Sequence, residues 1–244
     1  MEEDSKLPLF FLRPECFLGR IFYEVNTMQH NPNSLRKMIL IALFAAIAYM
    51  IVALVRIPVV LFLSYEPKDV IITIGGFLLG PVSAFVMSLI VSLVEMVTIS
   101  QTGPIGCLMN LISTCCFACT AALIYKKKHS INGAVVGLLV GSVTMIGAML
   151  LWNWLITPLY MGTPRDAVEA MLLPVFLPFN ALKAGLNTAL ILGLYKPLTT
   201  ALRKTRLLPA TTSSSSGVKP GLYLFAAFLL ATCILFLLVL QNKI

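Results

Sequence analysis

The stretch LPFNALKAGLNTALILGLY, residues 177–195, decides how the chain is to be read. It is apolar enough for a membrane helix, yet it carries Asn180, Lys183 and Asn187 three and four residues apart, a spacing that puts all three on one helix face. Pro174 and Pro178 supply a natural start, because a missing N–H costs nothing in a first helical turn. An ionisable group within a span costs about 2.5–3.5 kcal/mol on insertion scales, so such groups usually face an interior cavity or a partner.

The rest of the chain agrees with lipid as the solvent. Hydrophobic residues make up 59% of the sequence and charged ones 11%, with a mean hydropathy of +0.93, outside the soluble range. Apolar stretches long enough to be weighed as spans lie at 38–56, 69–80, 82–100, 104–125, 132–158, 174–195 and 221–240. The second is short, and Gly80-Pro81 reads as a break into the third. The expected fold is an all-α membrane protein: a six-helix transmembrane core over residues 35–206, a Ser-rich flexible linker at 207–220, and an appended C-terminal seventh transmembrane helix within 221–244. That last helix has no polar residue beyond Thr232 and Cys233, which reads as an anchor outside the functional core.

A net charge of +8 invites a nucleic-acid reading, but the basic residues sit at helix ends. Arg36 and Lys37 precede the first span, Lys126, Lys127 and Lys128 follow the fourth, and Lys196, Arg203, Lys204 and Arg206 follow the sixth. Threading six spans gathers these clusters on one side, which the positive-inside rule assigns to the cytoplasm together with the N-terminal segment 1–34. Glu66, Asp69, Asp166 and Glu169 then fall in outward loops. The first residues lack the basic start and long apolar run of a signal peptide, and Met28 offers an alternative start.

Histidine and cysteine usage argues against enzyme and metal chemistry. There are two histidines, His30 and His129, and the cysteines of STCCFACT lie within one apolar helix without a second ligand pair. They read as small packing residues. No phosphate-binding G-x-x-x-x-G-K-[ST] occurs, so energy for uphill transport would come from another protein.

Several polar residues remain at membrane depth. Glu95 shares a face with Ser88 and Ser92, which reads either as a packing stripe or as the wall of a binding cavity. Lys183 could snorkel outward, pair with Glu95, or join Asn180 in a polar site. Asn153, between Trp152 and Trp154 in the fifth span, is placed near the same outer end; its amide offers donors and an acceptor to a planar heterocycle. Asn110 follows Gly103 and Gly106 on the fourth span. In the first span Ala42 and Ala46 form a small-xxx-small surface suited to close helix contact.

LSYEPKDVIITIGGFLLGP, GAVVGLLVG, NWLITPLYMGTP and LPVFLPFNALKAGLN together resemble the riboflavin-specific S components of energy-coupling factor (ECF) transporters, over roughly Leu35 to Arg206. The resemblance implies a six-helix protein of the bacterial plasma membrane. It would bind one vitamin from outside under a cap formed by the loop after the first helix. It would deliver the vitamin together with a transmembrane coupling protein and two ABC-type ATPases. No cofactor is implied, riboflavin being the transported ligand. Carried over by position, Asn153, Asn180 and Lys183 would meet the isoalloxazine ring, Leu63 to Asp69 would form the cap with Tyr65 as an apolar lid, and Ala42 and Ala46 would dock the coupling protein. Glu95 and Asn110 are added as cavity residues from burial and face. The seventh helix departs from the six-helix pattern. Two other readings stay open: specificity for a different vitamin, and a self-sufficient carrier using Glu95 as a proton site.

Overall fold

The computed structural model describes residues 32–60, 63–100, 102–162, 164–204 and 220–240. Most of the N-terminal segment and nearly all of the Ser-rich linker lie outside the described residues. Two compact units divide the chain, Met1–Leu40 and Ile41–Ile244. In the first, the described residues are the opening turns of helix α1, Pro32–Leu54.

The second unit continues with a feature the all-α expectation lacked, an antiparallel hairpin of β1 (Ile57–Val60) and β2 (Leu63–Tyr65). Ile57 pairs with Tyr65 and Pro58 with Ser64. With two strands both are edges, so Pro58 withholds no needed ladder donor. Helices α2 (Lys68–Leu79) and α3 (Pro81–Thr98) follow, separated at Gly80, whose φ of 99° suits glycine alone, with Pro81 opening the next helix. Then come α4 (Gly103–Thr114), a π-helical turn at Cys115–Cys119, and α5 (Thr120–Lys127). They are followed by α6 (Ile131–Met161), α7 (Arg165–Met171), a second π-helical turn at Leu172–Phe176, α8 (Leu177–Lys204) and α9 (Pro220–Leu240).

Among the described residues, five stretches are long and apolar enough to cross a membrane: Leu35–Leu54, Pro81–Thr98, Gly103–Lys127, Ile131–Leu159 and Arg165–Tyr195. The protein is a multi-pass, predominantly helical membrane protein. Helix α2 differs from the spans around it. Its 12 residues reach about 18 Å at 1.5 Å per residue, short of a hydrocarbon core of about 30 Å. It is instead an internal helix, buried along most of its length from Lys68 to Phe77. Its Ile72, Ile74 and Phe77 join Phe44, Met87, Phe117 and Leu138 in the main apolar cluster.

The three cysteines of the first π-helical turn are free thiols, with Phe117 and Ala118 fully buried between them. No group of three or more metal-ligating side chains occurs among the described residues.

Helix α9, read from the sequence as an appended anchor, packs against α8 and the hairpin and lines no part of the cleft described below. Cys233 is buried in a second cluster with Val59, Tyr65, Phe179, Leu182 and Leu186, and Leu229, Leu230 and Leu237 pack against that cluster. The contact is made possible by Gly185 of α8, where a Cβ would stand 2.7 Å from Cys233 Sγ. Gly185→Leu should therefore push α9 away, at the roughly 1–3 kcal/mol typical of overpacking. A drop in thermal midpoint in the full chain, absent from a chain truncated after Arg206, is the expected result; equal effects in both would mean that α9 is not what Gly185 contacts.

Candidate functional site

Successive helices bring polar residues from distant parts of the chain to one end of the unit. A cleft of about 740 Å³, counted to its open mouth, is bounded by the end of α1, the hairpin, the C-terminal end of α3, the second half of α4, the N-terminal half of α8 and the second half of α6. Within the Gly103–Lys127 span the lining residues lie in the half remote from Lys126, Lys127 and Lys128, so the cleft opens away from that basic cluster.

Asn153, Asn180, Lys183, Glu95, Asn110 and Leu63 all line this cleft. Lys183 neither snorkels nor meets Glu95. It is 7% exposed, its Nζ stands 3.1 Å from Asp69 Oδ2, and it donates to Ser113 Oγ at 3.2 Å. Asp69, expected in an outward loop, is instead fully buried at the start of α2. Its carboxylate also accepts from Thr114 Oγ1 at 2.7 Å and from Asn187 Nδ2 at 3.3 Å. Asn187 in turn accepts the Tyr65 hydroxyl at 3.0 Å.

Tyr65 is therefore an inward strut between the hairpin and α8, and it does not line the cleft. A buried phenol seeks a polar partner, and Asn187 supplies one. Burial holds the Tyr65 hydroxyl well above its ordinary range, and the Asp69 charge adds to the shift, so it remains a donor. The cap residues that do face the cleft are Leu63, Ser64 and Glu66.

A second ionic chain runs along the other wall. Arg56 Nε lies 3.2 Å from Glu66 Oε1, and Glu66 Oε2 lies 2.8 Å from Lys68 Nζ. Lys68, 1% exposed, also donates a close charge-assisted hydrogen bond to Glu95 Oε2. Asn110 Nδ2 donates to the same oxygen at 3.1 Å. Glu95 Oε1, by contrast, is buried without a partner. The proton-site reading of Glu95 thus meets a carboxylate already compensated by a fixed ammonium. Ser88 and Ser92, on the Glu95 face, are both buried at 1% exposure.

Glu66, Lys68 and Asp69 are expected from the sequence only as part of the Leu63–Asp69 cap; their burial and ion pairing are not, because they stand beside Pro67, where a solvated loop is the default. The available signal was a pair of adjacent charges opening an otherwise apolar helix too short to span.

The two amides are held from behind. Asn153 Nδ2 donates to Met149 O at 2.7 Å and its Oδ1 accepts from Thr157 Oγ1 at 2.9 Å, while Asn180 Nδ2 donates to Phe176 O at 2.8 Å. Each bond runs within one helix, one turn apart, and so fixes the carboxamide without recruiting the opposite wall. Outside the cleft, Trp154 is 37% exposed, donates Nε1–H to Glu169 Oε1 at 2.8 Å, and lies under the Arg165 guanidinium, 5.9 Å from the ring centroid. On α1, Ala42 and Ala46 are exposed beside Leu43, Ile47 and Met50, whereas Ala45 and Ala48 face the core.

Residues 36–195 match the family model for the substrate-specific component of ECF transporters. The chain belongs to that family. This S component is 24% identical over 186 residues to the riboflavin transporter RibU of Staphylococcus aureus (strain TCH60), covering 72% of this chain and 95% of the relative. It is 26% identical over 160 residues to the riboflavin transporter FmnP of Bacillus subtilis (strain 168), covering 61% and 84% respectively. A solved S component of a bacterial ECF transporter superposes with a TM-score of 0.58 at 25% identity, covering 68% of this chain and 97% of that one. The family is one of transporter substrate-binding components and not of enzymes, and its extent leaves α9 outside the matched region.

Proposed function

We propose that this S component binds riboflavin in the cleft from the extracellular side, delivering it with a transmembrane coupling protein and two ABC-type ATPases. The observation that carries the reading is the charge ledger of the cleft. Arg56 and Lys183 stand against Glu66 and Glu95 in its lining, and Lys68 and Asp69 stand behind it, each of the six engaged in at least one ion pair. A neutral, planar ligand with a hydrogen-bonding edge fits such a site. An anion would find no uncompensated cation. In this reading Asn153, Asn180 and Lys183 take the ring edge, and the names of the two curated relatives support the choice of vitamin.

The topology we propose keeps the six-helix core over 35–206, with the short, buried α2 completing the second crossing together with the segments at its two ends, then a linker at 207–220 and a seventh transmembrane helix within 221–244. The N-terminus lies in the cytoplasm of a bacterial plasma membrane, which places the cleft opposite Lys126 to Lys128. The exposed pair Ala42 and Ala46 on α1 is the proposed docking surface for the coupling protein.

Titration of detergent-purified protein, followed by quenching of flavin fluorescence, tests the ligand. Riboflavin should bind, and FMN, which adds a phosphate, should bind at least roughly tenfold more weakly, equivalent to about 1.4 kcal/mol. Binding of another vitamin with no response to riboflavin would overturn the proposal, and equal affinity for FMN would overturn the charge argument.

A further inference from the structure

Glu95 Oε1 is the one buried side-chain oxygen or nitrogen without a hydrogen-bond partner among the described residues, and it belongs to a residue that lines the cleft. Its carboxylate is not free to turn and relieve the deficit. Lys68 and Asn110 both donate to Oε2, and Lys68 is itself gripped by Glu66, which Arg56 holds from the cap side. Oε1 is thereby held in place as an acceptor, at 5% residue exposure. Buried polar atoms are almost always satisfied, and an exception calls for a specific explanation.

We infer that Glu95 Oε1 accepts a hydrogen bond donated by a hydroxyl of the ligand's polyol chain, making Glu95 the residue that reads the sugar-alcohol tail. The inference rests on the riboflavin reading and adds a subsite to it. An ionised carboxylate only accepts, so its partner on the ligand must be a donor. Carbonyls are excluded, and so is a phosphate. Riboflavin offers two kinds of donor, the imide N–H of the ring edge and the ribityl hydroxyls. The imide N–H is flanked by two carbonyl oxygens that a carboxylate would repel, whereas Asn153, Asn180 and Lys183 combine donors and acceptors suited to that alternating edge. The hydroxyls carry no such conflict, and a hydrogen bond to a charged acceptor is stronger than a neutral one. Because the acceptor is fixed before the ligand arrives, little ordering remains to oppose binding.

Lumiflavin, the same ring system with a methyl group in place of the ribityl chain, separates the two ends. In the full-length protein, Glu95→Gln should turn its carbonyl toward the donors Lys68 and Asn110 and leave an amide N–H group where Oε1 stood. Riboflavin affinity should fall by roughly tenfold or more, as for loss of a hydrogen bond to a charged group, while lumiflavin affinity should stay within about twofold. Glu95→Asp, which withdraws the carboxylate by one methylene, should show the same selectivity and serves if the glutamine variant does not fold. Parallel losses for both flavins, or no loss for riboflavin, would overturn the inference. If the wild-type protein binds neither flavin, the riboflavin reading itself has failed.

Discussion

Asp69→Ala is expected to lower the stability of the protein by about 3–5 kcal/mol, the usual consequence of stripping one partner from a buried ion pair. The carboxylate is fully buried and meets Lys183, Thr114 and Asn187 at once. Its removal leaves the Lys183 ammonium at 7% exposure with Ser113 as its remaining hydrogen-bond partner. It also frees Asn187, and with it the anchor of the Tyr65 hydroxyl. The double variant Asp69→Asn/Lys183→Met, which discharges both partners at similar volume, should recover most of the loss, since neutral replacement of a buried pair is often tolerated. Thermal unfolding in detergent checks both. The double variant should nonetheless bind riboflavin poorly, separating the structural part of Lys183 from its proposed contact with the ring. An Asp69→Ala protein that melts with the wild type would show that the pair does not hold α2 against α8.

Lys68→Met should be comparably damaging, again about 3–5 kcal/mol, for the opposite reason. The ammonium, 1% exposed, stands between Glu66 and Glu95. Without it two buried carboxylates face each other with Arg56 alone on the cap side. Stability should be regained in part by Lys68→Met/Glu95→Gln, which removes one of the stranded charges. Because this chain is what ties the hairpin to α3, limited proteolysis near residues 57–65 should accelerate in the single variant. Unchanged cleavage would mean that apolar packing of Val59, Leu63 and Tyr65 holds the cap by itself.

How much of this was legible beforehand follows from the range of the interactions. Helical periodicity is local, so the shared face of Asn180, Lys183 and Asn187, and that of Ser88, Ser92 and Glu95, could be read directly, and all six are buried. The partners of those residues could not. Lys183 could pair with Glu95, reach for water or join Asn180 in a polar site until α2 came to lie inside the bundle and brought Asp69, 118 residues from Asn187 in sequence, within hydrogen-bond distance of it in space. Tyr65 was placed over a ring only by the family resemblance, and a single hydrogen bond to Asn187 turns it the other way. Likewise α9, polar at almost no position, carried no signal of attachment, since a helix that is apolar all round shows no preferred face; the glycine that receives it lies in another helix.

By itself the sequence determined a helical membrane protein with a polar end, because hydropathy, charge at helix ends and helical period are properties of consecutive residues. Tertiary structure alone decided which charges neutralise which, and which carboxylate oxygen is left without a partner. In a low-dielectric interior those outcomes depend on distances of a few ångströms between residues that the chain order keeps far apart.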